Sequence, residues 1–156
     1  MADPGEAVSC FYNTEPPAAA YPRVMSTHAQ STFTVKNWDE HAYNEVDGHL
    51  KLTRATVAFG YTGDLEGDGA IEYLMMYQDD GSARSIALER FSGRLNGKSG
   101  TFVLEHHANY ADGTNSGEFD VIAGSGTGQL ASLRGHGTSL SRQDGTMLVT
   151  LEYDLG

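Results

Sequence analysis

Four alternating runs between Ala70 and Val121, separated by short glycine turns, constrain this chain more than any other feature. They read AIEYLMMYQ, SARSIALERF, TFVLEHHANY and GEFDV, with Asp80-Gly81, Asn96-Gly97 and Asp112-Gly113 between them. Apolar and polar residues in alternation have the period of a strand with one buried face, and Asn-Gly or Asp-Gly tolerates the positive φ of a tight hairpin. The beat extends beyond these runs: Asp80, Asn96, Asp112 and Asp144 each precede a glycine, at steps of sixteen or a multiple of it. One strand plus one turn per step is a β-meander. The predicted strands cover 31–38, 49–62, 69–78, 83–95, 99–111, 116–124, 131–142 and 146–154. Pairing the last with the first removes both exposed edges, so the expected fold is all-β, an eight-stranded antiparallel up-and-down barrel able to hold side chains or one small ligand. Gly93 and Gly100 are expected bends or bulges, and 39–48 a loop with a helical turn over one mouth.

Hairpins this short allow register to be estimated from the turns. Centring the first on Asp80-Gly81 sets Glu72 opposite Glu89. Centring the second on Asn96-Gly97 sets Phe91 opposite Phe102 and His106 diagonal to Glu89. The third sets His106 opposite Phe119. One face then holds Glu72, Leu74, Met76, Ala87, Glu89, Phe91, Phe102, Leu104, His106, Phe119 and Val121. The opposite face carries most of the charges and reads as the outside, which leaves Ile71, Tyr73, Met75, Tyr77, Ile86 and Leu88 as an outer apolar patch suited to subunit contact. The competing reading makes that second face the core. In the second strand Thr53, Ala55, Val57, Phe59 and Tyr61 point inward. The turn at Asp144-Gly145 sets Tyr153 opposite His136 and Leu151 opposite Thr138.

Length and composition narrow the class. At 156 residues the chain suits one domain, and 19 glycines at turn positions fit an all-β fold. All four prolines precede residue 23, so residues 1–29 read as a flexible arm and 30–156 as the barrel domain. A formal net charge of −11 argues against nucleic acid or an anionic membrane as partner. The lone Cys10 excludes an internal disulfide framework. No apolar run is long enough for a membrane helix, and a cytoplasmic protein is the expectation.

Chemistry is concentrated in one cluster. Glu72 and Glu89, facing each other on an apolar surface, cannot both ionise cheaply, and an acid beside a base is the arrangement for proton transfer. His106 would share the proton or orient a bound carbonyl. Met76, Phe91, Phe102, Leu104 and Phe119 would shape a ligand site, with Tyr61, Tyr153 and His136 as possible hydrogen-bond donors at a mouth. A structural polar network is the bland alternative. Other patterns fall away. The glycine run at 124–128 lacks the Lys-Ser/Thr ending of a phosphate loop. Asp64, Glu66 and Asp68 resemble half a calcium loop, but Met75 occupies the glutamate position. His106 and His107 are consecutive in a strand and face opposite ways. No metal and no cofactor is expected.

The segments LTRATV, IEYLMMY, LERFSGRLNGKSGTFVLEH and GSGTGQLASLRG, in that order, closely resemble the bacterial DUF3224 family over about residues 31–154. That family is similar to the allene oxide cyclase barrels, so the resemblance implies an eight-stranded barrel. In plant allene oxide cyclases and bacterial spirotetronate-type cyclases an apolar lumen folds a flexible substrate. The resemblance itself implies little about activity; the first expectation is a cofactor-free cyclase or isomerase acting on an apolar oxygenated substrate in the lumen, with Glu72 or Glu89 shuttling a proton. The resemblance transfers no catalytic residue to this sequence. The competing expectations are a carrier barrel for a small apolar ligand and a filled, purely structural homo-oligomer.

Overall fold

The computed structural model describes residues 26–46 and 50–156, the side chain of Val46 excepted. Eight strands follow one another: β1 (Thr27–Val46), β2 (Leu50–Gly63), β3 (Leu65–Gln78), β4 (Ala83–Leu95), β5 (Lys98–Ala111), β6 (Thr114–Val121), β7 (Arg134–Ser141) and β8 (Met147–Asp154). Each pairs antiparallel with its neighbours, and β8 returns to β1 to close the barrel. The expected up-and-down barrel is therefore the observed fold. The arm predicted over residues 1–29 lies mostly outside the described residues, although β1 already begins at Thr27.

Several local expectations need correcting. The segment 39–48 forms no helical turn among its described residues, because β1 continues to Val46. The bulges lie in β1, between Val35 and Asn37 and between Ala42 and Asn44. Gly93 and Gly100 pair directly and in register. Their role is close approach: a Cβ on Gly100 would fall 2.2 Å from the Thr127 carbonyl oxygen and 3.2 Å from Leu130.

The four Asx-Gly turns among the described residues divide into two kinds. Asn96 and Asp112 have φ of 47° and 52°, and their glycines are also positive, as two-residue hairpin loops require. The turn at Asp80-Gly81 holds three residues. Gly81 N–H donates to Gln78 O and Gln78 N–H to Ser82 O, and only Gly81 has positive φ. Asp144-Gly145 repeats the pattern through Arg142 and Thr146. The extra residue shifts both registers by one, which sends the whole strand to its other face. Ile71 pairs with Glu89, Glu72 with Leu88, Gly135 with Tyr153, and His136 with Glu152. Ile71, Tyr73, Met75 and Tyr77 therefore face inward, and Glu72, Leu74 and Met76 outward. Of the predicted outer patch, Ile86 and Leu88 are exposed as expected, joined by Leu74, whereas Ile71, Tyr73, Met75 and Tyr77 belong to the inner face. The other two registers stand as predicted, with Phe91 opposite Phe102 and His106 opposite Phe119.

The interior has a filled end and an open end. At the filled end Leu65, Leu95, Phe102, Leu130 and Leu133 are almost fully buried. Leu130 lies on a single 3₁₀ turn, Gly128–Leu130, in the long β6–β7 connection that folds over this end. The glycine run at 124–128 thus belongs to a plug. At the other end, past the Phe59 and Phe33 rings, the side chains part to leave a cavity of about 480 Å³ open at the mouth.

Candidate functional site

The open cavity is an aromatic cup. Phe33, Trp38, Phe59, Tyr73, Met75 and Tyr77 form much of one wall, and His106 reaches it from below. The rings pack on one another: Trp38 against Tyr73 at 5.7 Å between centroids, and Phe33 against Phe59 at 4.1 Å. A pocket of this size, mainly apolar with a few polar groups, is the usual form of a small-molecule site.

Beneath the cup lies a charged cluster built by β2, β3, β4 and β5. Glu89 is 0% exposed and His106 8%. His106 Nε2 is 2.7 Å from Glu89 Oε1, and Tyr61 Oη donates to Glu89 Oε2 at 2.6 Å. A carboxylate buried at this depth is tolerable only when its oxygens are hydrogen-bonded, and both are. Space for it comes from Gly69 on β3, where a Cβ would sit 1.9 Å from Glu89 Oε2. Burial, then the charge and hydrogen bond of Glu89, push the Tyr61 phenol well above its ordinary range. Burial followed by the charge of Glu89 does the same to Tyr73. Both tyrosines keep their protons and so remain available as O–H donors.

With Nε2–H given to Glu89, the other imidazole nitrogen of His106 is left as an acceptor. It makes no hydrogen bond among the described residues, and neither does Tyr73 Oη. No sealed side-chain nitrogen or oxygen among these residues lacks a partner, so neither atom is sealed from solvent, and both residues line the cup.

A second carboxylate lies at the rim. Glu40 accepts from Trp38 Nε1 at 2.9 Å, from Thr53 Oγ1 at 2.6 Å and from Tyr77 Oη at 2.7 Å. Burial alone would raise its pKa, but the three donors and the Lys51 charge together hold it below 4.5. Tyr77 is pushed up to about 12, by burial first and then by Glu40. The bonds to Glu40 fix two rings of the cup wall.

The residues predicted for the site separate accordingly. Glu89 and His106 meet inside the barrel. Glu72 does not join them: its side chain is 52% exposed, bonded to Thr56 and 3.7 Å from Arg54. Met76 faces outward with it. Phe91, Phe102, Leu104 and Phe119 are buried, Phe119 with its centroid 5.3 Å from the His106 ring, but they pack the interior below the cup and do not line it. Tyr61 is bonded to Glu89 beneath the floor. Tyr153 lies at the filled end, accepting a hydrogen bond from Asn96, and His136 is outside, 2.8 Å from Asp120. Sequence reasoning missed Tyr73, Tyr77, Trp38 and Glu40. The odd positions Ile71, Tyr73, Met75 and Tyr77 are uniformly apolar or aromatic, and that pattern should have outweighed the turn. Among the described residues no cluster of His, Cys, Asp and Glu could hold a metal ion, and no helix is long and apolar enough to cross a membrane.

A search of curated proteins finds no match to this chain. The chain is similar to a crystal structure of a protein of unknown function from the DUF3224 family of Shewanella oneidensis MR-1, with 27% identity and a TM-score of 0.69 over 83% of this chain and 97% of that one. The model of the family described as "Protein of unknown function (DUF3224)" matches residues 29–153. With the closed barrel and its open cup in place, the chain belongs to the DUF3224 family.

Proposed function

We propose that the cup binds a small, apolar, oxygenated molecule and that His106 moves a proton on it, making the protein a cofactor-independent isomerase or cyclase. One observation carries this reading. An imidazole supported by a buried carboxylate at 2.7 Å carries an unpartnered ring nitrogen at a cavity with one aromatic wall and a polar opposite side that includes Arg84, Asn109 and Arg142. Glu89, fully buried with both oxygens bonded, is a positioning residue that holds the tautomer and balances the imidazolium formed when His106 accepts a proton. Tyr61 in turn holds Glu89. The aromatic wall would press a flexible substrate into a reactive shape, which lowers the entropic part of the barrier.

The test is exchange of solvent deuterium into the α-carbon of a panel of small cyclic ketones and enones, followed by mass spectrometry. Wild type should exchange at least one of them above the buffer rate. His106→Gln should lose about 10²–10⁴-fold. Glu89→Gln should fall less and with an altered pH profile. Exchange that survives intact in His106→Gln removes the proposal. Both oxygens of Glu89 are already occupied by protein donors, which favours a carrier barrel as the second reading; binding without exchange would establish it.

A further inference from the structure

A row of directly paired residues spirals along the barrel wall through His106. It passes from Glu40 to Ala55, Tyr73, Ala87, His106 and Phe119 on β1 through β6. Bulky and small side chains alternate along this row from Glu40 to His106. Ala87, buried and inward-facing, stands between Tyr73 and His106. Two strand spacings separate those residues, roughly 10 Å between backbones, and the methyl group of Ala87 fills little of the gap. Tyr73 and His106 both line the cup, and their polar atoms Oη and Nδ1, without protein partners among the described residues, thus stand on either side of this slot. The Trp38 and Phe59 rings hold the Tyr73 ring, with centroids at 5.7 and 6.5 Å. An open hydrogen-bonding atom in an apolar cavity costs affinity for any ligand that leaves it unsatisfied.

We infer that this slot takes a flat, enolisable ketone, with Tyr73 donating its O–H to the ketone oxygen and His106 receiving the proton from the adjacent carbon. The inference rests on the function proposed above and names its substrate class. In the step, the C–H bond breaks and its proton goes to His106 Nδ1. The C–H electron pair becomes a carbon–carbon π bond, and the carbonyl π pair moves onto oxygen, where the Tyr73 O–H stabilises it. Return of the proton from His106 to a conjugated carbon completes an isomerisation with no other reactant. A donor aimed at the developing oxyanion acts more strongly on the transition state than on the ketone. Tyr73 suits this role because it has no other hydrogen bond to break.

The test compares 2-naphthol, a flat stable enol, with naphthalene, which has the same shape and no hydroxyl. Binding is followed by quenching of Trp38, the only tryptophan. Wild type should bind 2-naphthol about tenfold tighter than naphthalene. Tyr73→Phe should bring the two affinities together while leaving naphthalene affinity and the melting temperature unchanged. Tyr43→Phe, a change at an exposed tyrosine outside the cavity lining, should preserve the preference. Equal binding of both probes by wild type, or a preference that survives Tyr73→Phe, overturns the inference and leaves the cup as a ligand site. Failure of both probes to bind overturns the cup itself as well.

Discussion

Glu89 depends on a residue that has no side chain. Gly69 pairs with Phe91 on β4, and its missing Cβ is the space into which the Glu89 carboxylate turns toward Tyr61. Gly69→Ala would force Glu89 aside by more than an ångström and break the bonds to Tyr61 and His106 together. The expected cost is about 1–3 kcal/mol from overpacking alone, measured by denaturant unfolding, with a further fall in any His106-dependent exchange. A variant as stable as wild type would show that Glu89 has room elsewhere. At this scale the sequence was informative about one partner and misleading about the other. His106 diagonal to Glu89 follows from a two-residue Asn-Gly turn, and the structure places it there. The pairing of Glu72 with Glu89 assumed the same turn at Asp80-Gly81. Asp80 Oδ1 instead accepts from both the backbone N–H and the hydroxyl of Ser82, closing a loop one residue longer.

The element that distinguishes the open end is the β1–β2 hairpin. β1 is twenty residues long, and its two bulges separate Val35 from Asn37 and Ala42 from Asn44 in the pairing with β2. A bulge bends its strand and increases the local twist. Trp38 and Glu40 lie between the two and face inward with Thr53 and Tyr77. Because the Glu40 carboxyl is held below its ordinary 4.5, it contributes stability that is fully present above that value and lost as pH falls through the folded-state pKa. Acid titration below about pH 4.5 should therefore change Trp38 fluorescence before global unfolding, as the indole loses its acceptor. Glu40→Gln should abolish this early change and loosen the cup at neutral pH, since an amide offers one acceptor oxygen for three donors. An early change that persists in Glu40→Gln would assign it to another carboxylate. None of this was visible in the sequence. DEHAYNEV breaks a simple two-residue alternation because the bulges shift the phase of β1, and so it resembles a loop.

For the molecule as a whole, closure is uneven. The β6–β7 ladder covers only Ser116–Asp120 on β6, whereas β1–β2 pairs from Ser31 to Val46 on β1. Regions with few protected backbone bonds open first. Native-state hydrogen exchange should therefore be fastest in β6 and β7 and slowest in β2 through β5; uniform exchange would mean that the barrel opens as one unit. The strand–turn beat and its alternation determined the class, the strand order and the closed barrel, because those follow from local periodicity and from the need to leave no edge unpaired. Alternation also placed Glu89 and His106 on one buried face. Tertiary structure alone decided which face of β3 and which partner of Tyr153 lay inside, because a single extra loop residue inverts a strand and its cost is judged by packing across the whole interior. It also decided which end was filled. Leu130 and Leu133 are far in sequence from the strands whose lumen they close, and among the described residues no corresponding plug covers the mouth that Tyr73 and His106 line.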